Sequence, residues 1–515
     1  MLTMGRRTKK QGAGDWLAFA GVCVLGLASP AFAQSSGPPA ASGGPASASY
    51  GSAATVNQAQ QQLSGASGQP AQSGQSGSQV PNDSFKGSIV EGTATAGVMD
   101  LSLADAVQRG LRTNLGIILQ ASSQQNANGQ RLEQLQYLLP TVSGSASIEV
   151  QQINLAAYGL KFPGLNPIIG PFQVTDFRAY LSQTLFNLSS LQNYLAAKHN
   201  FASAKLSADD ARDMVVLTVG NAYLLCVADV ARVEAVKAEL ATAKVSLDQA
   251  VAAHDAGTSP KIDVLRSQVD YQNEEQTLIS TANQLEKDKL ALARTIGLPL
   301  DQKFQTTDRV PYAALDNVDA RTAFDQALKN RKDLQAMNES VQAAKAQKTS
   351  AWAEQLPQAD VSGNFGDQGQ TAGHSHGTYA VTGEITAPIL QVAKTHGDEQ
   401  VADAQLQQAK ARYADQIQQV NADIQDSLLD VQAAAKLVEA TQSNVALATE
   451  ALKEAQERFH AGVSDNLPVS QAQSQTEQAN DQYISALYQH NVAKLSLARA
   501  LGVAQTSYKD YLGGK

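Results

Sequence analysis

The chain has 515 residues, of which 39 are basic and 48 acidic, and its formal net charge at pH 7 is −9. The length allows two or more ordinary domains, and nothing in the mildly acidic balance suggests a protein that binds nucleic acid. The sequence contains no nucleophile paired with a base and no phosphate-binding glycine loop, so it predicts neither an enzyme nor a cofactor.

The first 33 residues have the features of a secretory signal peptide. A basic start precedes an apolar stretch from Trp16 to Ala28 and the small-residue cleavage site at 31–33. The mature chain is expected to begin near Gln34, which leaves Cys226 as its only cysteine and allows no intrachain disulfide. No apolar run after residue 33 is expected to be long enough for a membrane-spanning helix, which needs about 20 residues. Any membrane crossing is therefore expected to use a closed β-barrel.

Residues 34–97 are predicted to form a disordered extension. Ser, Gly, Ala, Gln and Pro dominate this stretch, and its only charged residues are Asp83, Lys86 and Glu91. Such a composition cannot bury enough apolar surface to offset the conformational entropy that folding removes. The composition favours a linker or tether.

The ordered part of the chain contains one unit twice. Residues 98–318 form the first predicted repeat, residues 319–505 the second, and residues 506–515 a C-terminal tail. The first helix is expected to be capped by Ser102 and to run on through Leu115. Matching residues recur 217 positions later near the start of each unit and 205 positions later near its end; examples are Val107 and Phe324, Leu139 and Leu356, Gly257 and Gly462, and Gly297 and Gly502. This agreement indicates internal duplication.

Each repeat is predicted to contain a long coiled helical hairpin, at residues 187–297 and 391–502. Apolar residues recur every seven positions in the long helices, namely Val219, Cys226, Val233, Leu240 and Leu247 in the first and Ile424, Val431, Val438, Val445, Leu452 and Phe459 in the second. A strict seven-residue repeat drives left-handed supercoiling against partner helices. At about 1.5 Å per residue, a helix of about seventy residues is roughly 105 Å long, which no compact globule requires.

Four short segments alternate between apolar and polar residues. They are predicted to form strands at about 141–153, 174–186, 358–367 and 378–390. This pattern is typical of outer-membrane barrel strands, and half-buried strands of soluble proteins also show it. One chain cannot close a membrane barrel, because the smallest barrels have about eight strands. Two copies would leave an interior just filled by side chains, whereas the roughly twelve strands of three copies leave room for a passage.

The sequence resembles the TolC family of outer-membrane efflux proteins across residues 101 to about 505. The resemblance rests on short motifs in a fixed order, which are LSLADAV (101–107), LLP (138–140), LSQTLF (181–186), DVLRSQ (263–268), RFHAG (458–462) and LARALG (497–502). It implies a mainly α fold with a small membrane β-barrel, in which a homotrimer forms a barrel in outer-membrane lipid and an α-helical tunnel in the periplasm.

The function that the resemblance implies is that of an outer-membrane exit duct. Such proteins serve tripartite efflux or type I secretion systems and dock through their helix tips onto a periplasmic adaptor and an inner-membrane pump. The pump supplies the energy, and the sequence does not fix the cargo or the pump class. The competing interpretation is a soluble periplasmic coiled-coil adaptor or scaffold, against which the duplicated strand pattern argues.

The hairpin tips contain the candidate site residues. In the family, aspartates near the start of the return helices narrow the periplasmic entrance. Asp263 matches that position in the first repeat, whereas the second repeat has Pro468, with Asp465 as a nearby candidate substitute. The competing interpretation is that Asp263 favours a helix N-terminus through the helix dipole and that Asp465 is solvated.

Adaptor docking in the family uses the groove around the tips. The matching residues are Gly257, Thr258, Ser259, Phe459, Gly462 and Ser464. The glycines are also required as turn residues, whatever binds beside them. No metal site is predicted, because His374 and His376 supply only two ligands.

Overall fold

The computed structural model describes residues 82–512 except 161, 165, 309–311 and 316–317. The predicted signal peptide and residues 34–81 of the predicted extension lie outside the described residues. The first repeat contains β1 (Met99–Leu101), α1 (Leu103–Thr113), α2 (Leu115–Gln136), β2 (Thr141–Asn154), β3 (Ile168–Phe186), α3 (Leu188–Asp255) and α4 (Lys261–Ile296). There follow β4 (Phe304–Thr306), α5 (Ala320–Asn330), α6 (Lys332–Ala353), β5 (Gln358–Gly369), β6 (Ser375–Thr386), α7 (Val392–His460), α8 (Leu467–Ala500) and α9 (Ala504–Tyr511).

The two repeats match element by element. Helices α1 and α5 have 11 residues each, and α2 and α6 have 22 each. The bounds of α5 and α6 are those of α1 and α2 shifted by 217 residues. The long helices α3 and α7 have 68 and 69 residues. The predicted duplication is therefore a repetition of helices and strands in the same order.

The predicted continuous first helix is two helices, because Asn114 interrupts it. Asn114 has an extended backbone, and its Oδ1 accepts a hydrogen bond from the Gly116 N–H at 2.9 Å, which caps α2. Arg331 interrupts the second repeat at the equivalent position. The glycines that end the two hairpins, Gly297 and Gly502, both have φ of +71° and lie against these breaks. A Cβ on Gly502 would lie 2.9 Å from the Arg331 nitrogen, so glycine is required there.

The seven-residue apolar series faces the interior of the hairpins. Val219 and Cys226 of α3 and Ile424 of α7 are fully buried, and the last members of each series, toward the tips, are half-buried. Small residues three positions after series members, such as Ala243 and Ala250, are also buried and allow the helices to approach closely. The coiled pairing predicted from the sequence is thus present within one chain.

Helix α3 contains one stretch that is long and apolar enough to cross a membrane, contrary to the expectation that none follows residue 33. Half of that stretch is buried inside the protein. The helix contributes Val215, Val219 and Tyr223 to a core that also contains Leu292 of α4 and Leu495 of α8. Its apolar character is therefore explained by its central place in the helical packing.

Two terminal segments have structure that the sequence did not predict. Residues 82–97 belong to the predicted disordered extension, yet Phe85 is 7% exposed and packs on Gly116. The Ile89 N–H donates to the Thr113 carbonyl at 2.9 Å. The predicted C-terminal tail contains most of α9, and this helix is anchored at its start, where the Gln505 N–H donates to Asp213 at 2.8 Å. Both segments are held by hydrogen bonds to distant partners, which local composition does not reveal.

The four predicted strands form one antiparallel sheet in the order β2-β3-β5-β6. Strand β3 begins at Ile168, earlier than predicted, because its pairing with β2 continues past an irregularity near Gln151. Strand β6 ends at Thr386, earlier than predicted. A second, unpredicted sheet consists of the parallel pair β1 and β4. The buried Tyr223 hydroxyl donates to the Leu101 carbonyl at 2.9 Å and fixes this pair to α3.

Candidate functional site: the two-faced sheet and the hairpin tips

One face of the four-stranded sheet is apolar and exposed. The pairing register aligns Val142, Leu181, Gly363 and Val381 in one row across all four strands. Residues in such a row point to the same face. Val142 is 72% exposed and Val381 is 75% exposed. Exposing an apolar surface of this kind to water is unfavourable. The surface is stable when another protein surface or lipid covers it.

The opposite face is polar. The neighbouring row consists of four hydroxyl residues, which are Thr141, Ser182, Ser362 and Thr382. Further along this face the Arg178 guanidinium joins three strands, because Nη1 lies 2.7 Å from Asn364 Oδ1 and Nη2 lies 3.2 Å from Thr378 Oγ1. Its Nε lies 3.2 Å from Asp176 Oδ1. This face therefore carries a hydrogen-bond network suited to contact with water.

The sheet has two open edges. Strands β2 and β6 have 14 and 12 residues, and within the described chain each pairs with only one neighbour. Unpaired backbone groups are prohibitively unfavourable in lipid, where only helices and closed barrels satisfy them. A sheet of this kind that enters a membrane therefore needs strands from further copies of the chain.

The first hairpin tip holds Asp263 inside the protein. Its carboxylate accepts a hydrogen bond from the Ser259 hydroxyl at 2.6 Å and lies 3.5 Å from the Arg266 guanidinium. Asp263 is only 2% exposed and lies in the first turn of α4, where a carboxylate interacts favourably with the helix dipole. Gly257 has φ of +74° and is exposed, and the Thr258 hydroxyl donates to the Ala253 carbonyl at 2.9 Å.

The second hairpin tip is more open. Asp465 is exposed, and its carboxylate accepts a hydrogen bond from the Leu467 N–H at 3.3 Å. Gly462 has φ of +70°, and Phe459 packs half-buried against a small cluster of Ala455, Val469 and Ala472. The Ser464 hydroxyl is enclosed and has no hydrogen-bond partner among the described residues. The roles assigned to these tip residues by resemblance stay predictions.

The two tips are joined by a hydrogen bond that the sequence did not predict. Asn466 Nδ2 donates to the Ser267 hydroxyl at 2.6 Å, and the two residues are 2% and 1% exposed. Asn466 precedes α8 and Ser267 lies in α4, so the contact connects the second hairpin to the first. Neither residue stands out in a search for charged or apolar patterns.

Further polar contacts connect α3 with α8 above the tips. Ser246 accepts from Gln473 at 2.9 Å, and Glu239 accepts from Asn480 at 3.0 Å. Arg232 donates to Asp481 at 2.9 Å. Ser246 and Glu239 are seven residues apart, as are Gln473 and Asn480. A search for polar residues at the coiled-coil spacing would have found them.

Two electrostatic features distinguish the helical region. Burial raises the pKa of the Cys226 thiol to about 12, so the thiol stays protonated and unreactive.

Burial, reinforced by Glu477, Glu239 and Asp270, raises the pKa of Glu274 to about 7. Glu239, Glu274 and Glu477 are the one set of metal-ligand side chains that converge in the part of the chain described. His374 and His376 do not belong to such a set.

The sequence profile of a known family matches both repeats. The family described as "Outer membrane efflux protein" matches residues 114–298 and 323–503. The chain belongs to this outer membrane efflux family. Each matched range lies within one structural repeat, and together the two ranges contain all four strands of the large sheet and both hairpins.

Individual relatives are distant in sequence and close in fold. The pyoverdine export outer membrane protein OpmQ of Pseudomonas putida is 23% identical over 287 residues, which are 55% of this chain and 61% of that protein. The chain thus spans about three-fifths of the length of this curated relative. A membrane protein from Pseudomonas aeruginosa superposes with a TM-score of 0.70 at 19% identity, covering 78% of this chain and 93% of that one. The CmeC outer membrane channel of Campylobacter jejuni superposes with a TM-score of 0.68 at 16% identity, covering 78% of this chain and 86% of that one.

Membership of the outer membrane efflux family confirms three predictions. The fold is mainly α, with duplicated long hairpins and the strands of a small membrane barrel. The location is the outer membrane, and the family consists of channels and not of enzymes. The competing interpretation as a soluble periplasmic adaptor or scaffold does not fit an outer-membrane family.

Proposed function

We propose that the chain is the exit duct of a tripartite efflux or type I secretion system and conducts substrates passively across the outer membrane. The observation that carries this proposal is the sheet with one apolar face, one polar face and two open edges. Such a sheet is stable in a membrane only when its edge strands are paired and its apolar face contacts lipid. Its polar face then lines an aqueous passage.

The duct is a homotrimer. Three copies of four strands make a barrel of about twelve strands, wide enough for a passage. Helix α4 also carries an exposed apolar stripe, which consists of Ile262, Leu265, Val269, Ile279 and Leu290, each between 47% and 68% exposed. A second copy of the chain would cover this stripe in the tunnel, as coiled-coil packing between neighbouring hairpins requires.

The hairpin tips dock a periplasmic adaptor, through which an inner-membrane pump delivers cargo. Gly257, Thr258 and Ser259 form the first tip, and Phe459, Gly462 and Ser464 belong to the second. Val463, 75% exposed, adds an apolar contact at the same place. The pyoverdine exported by the relative OpmQ is a precedent for small-molecule cargo, and the pump selects the cargo here.

The same tips form the periplasmic gate. Asp465 is the acidic residue that supports this role directly, since its exposed side chain is available to line an opening. Asp263 supports it indirectly by holding the first tip through Ser259 and Arg266. Opening separates the tips and breaks the hydrogen bond between Asn466 and Ser267. The two tips contribute differently to the gate, as expected from Asp263 and Pro468 at matching positions.

Site-specific photocrosslinking in intact cells tests the proposed assembly. A photoreactive residue at Ser259 is expected to capture a membrane-anchored periplasmic protein with a helical hairpin, identified by mass spectrometry. The same residue at Ile279 is expected to capture further copies of this chain. Gln284, an exposed polar residue on the same helix and outside the stripe, is the control and is expected to yield far less product. Absence of product from both Ser259 and Ile279 would contradict the assembly.

A further inference from the structure

Three glutamates meet where the two hairpins lie side by side. Glu239 belongs to α3, Glu274 to α4 and Glu477 to α8, so two of the helices come from the first hairpin and one from the second. One carboxylate oxygen of each lies within 4.8 Å of those of the other two. All three side chains are half-buried. This acidic contact lies between the polar contacts of Ser246 and Arg232 described above.

The charges around this contact are almost all negative. In the part of the chain described, none of the three glutamates forms a salt bridge with a lysine or arginine. Asp270 of α4 and Asp481 of α8 are the other acids that act on them, and Asp481 is held by Arg232 of α3. Glu274 Oε2 is enclosed and has no hydrogen-bond partner. Among the described residues, Asn480 is the one hydrogen-bond donor to these carboxylates, and it is bonded to Glu239.

Carboxylates this close together favour binding a proton. A proton shared between two of them replaces a repulsion with a hydrogen bond. Burial and the neighbouring Glu239 and Asp481 raise the pKa of Glu477 above its ordinary value, in the same direction as for Glu274. The second hairpin contributes Glu477, so a proton that Glu477 shares with Glu239 or Glu274 joins one hairpin to the other.

We propose that Glu239, Glu274 and Glu477 form a proton-controlled contact between the two hairpins, which tightens on protonation and loosens when the proton is lost. The pKa of Glu274 is higher in the closed contact, where burial and the neighbouring acids raise it, than in the separated hairpins. Protonation therefore favours closure. Closure is strongest below the ordinary glutamate pKa of 4.5 and weakens as the pH rises toward about 7. The functional consequence rests on the proposed duct, since looser hairpins would widen its periplasmic end.

Distance measurement between two spin labels tests the contact directly. The labels are attached at Ala241→Cys on α3 and Gln475→Cys on α8, both exposed, and the native Cys226 is fully buried. The full chain is reconstituted in lipid vesicles with a chelator present and with excess unlabelled chain, so that only intrachain distances are recorded. A narrow distribution is expected at about pH 5, and a shift to longer, broader distances at about pH 8.

Two matched variants complete the test. In E274Q/E477Q the amides carry no charge and donate hydrogen bonds, so the distribution is expected to stay narrow at both pH values. E275Q, an exposed neighbour on α4, is expected to retain the shift. Equal distributions for the wild type at both pH values, or a shift that persists in E274Q/E477Q, would overturn the proposed contact. Export by these proteins is scored separately, and its absence in the wild type would instead contradict the duct.

Discussion

Arginine in place of Val381 is expected to prevent the chain from inserting into the outer membrane, whereas arginine in place of Thr382 is expected to be tolerated. The two residues are adjacent in β6 and point to opposite faces of the sheet. Val381 belongs to the apolar row and is 75% exposed, so its replacement places a charge in lipid. At the bilayer midplane an arginine on the lipid face costs about 2–4 kcal/mol. Each copy in the assembly adds this cost.

Membrane fractionation measures this effect. The wild type and T382R are expected in the outer-membrane fraction as oligomers that dissociate on heating, and V381R is expected in aggregates or as degradation products. T382R is the matched control, because it adds the same side chain one residue away. Equal recovery of both variants in the outer membrane would show that the apolar face does not meet lipid.

Replacing Arg331 with alanine is expected to destabilise the helical region by about 3–5 kcal/mol. The guanidinium is 7% exposed and lies 2.6 Å from the Asp333 carboxylate and 2.8 Å from the Asp423 carboxylate. Alanine would remove the cation that both acids share, while the acids are only 19% and 33% exposed. Asp333 also accepts a hydrogen bond from Gln416 at 3.0 Å, so the network joins α6 to α7.

Denaturant unfolding followed by circular dichroism checks this prediction. The control is Arg212→Ala, because Arg212 pairs with Asp209 at 3.8 Å on the surface with a side chain that is 51% exposed. Such exposed pairs contribute about 0–1 kcal/mol. Similar unfolding midpoints for the two variants would contradict a central role for the buried network.

The same network has a characteristic pH dependence. Burial acts to raise the pKa of Asp333, but its hydrogen bond and ion pair with Arg331 outweigh burial and lower the pKa below its ordinary 3.8. This contribution to stability is therefore present above pH 3.8 and is lost as the pH falls below that value. In R331A that part of the acid sensitivity is expected to disappear.

The helices and strands were predictable because their patterns are local and periodic. A seven-residue apolar repeat marks the C-terminal halves of α3 and α7, and an exposed glycine ends each of them at the predicted place. The sheet was predictable for a similar reason, since Val381 and Thr382 alternate between faces whatever their partners. Because the unit is duplicated, each element could be predicted from matching residues in both repeats.

The remaining features depend on partners far away in the chain. Nothing near Asn114 indicates that its side chain will cap a new helix, although Arg331 at the equivalent place makes the same break. The order around Phe85 depends on Gly116, against which its ring packs. The contact between Asn466 and Ser267 unites residues of two repeats and leaves no local pattern. The tips were therefore located correctly, and the bonds between them were not.

Single-channel recording of cysteine variants tests most directly whether the polar face of the sheet lines a water-filled passage. The purified protein is incorporated into a planar lipid bilayer and exposed to a bulky, membrane-impermeant thiol reagent. Thr382→Cys is expected to lose most of its conductance in discrete steps, while Val381→Cys and the wild type, whose Cys226 is buried, are expected to be unaffected. A wild type without channels, or a block confined to Val381→Cys, would contradict a passage lined by this face.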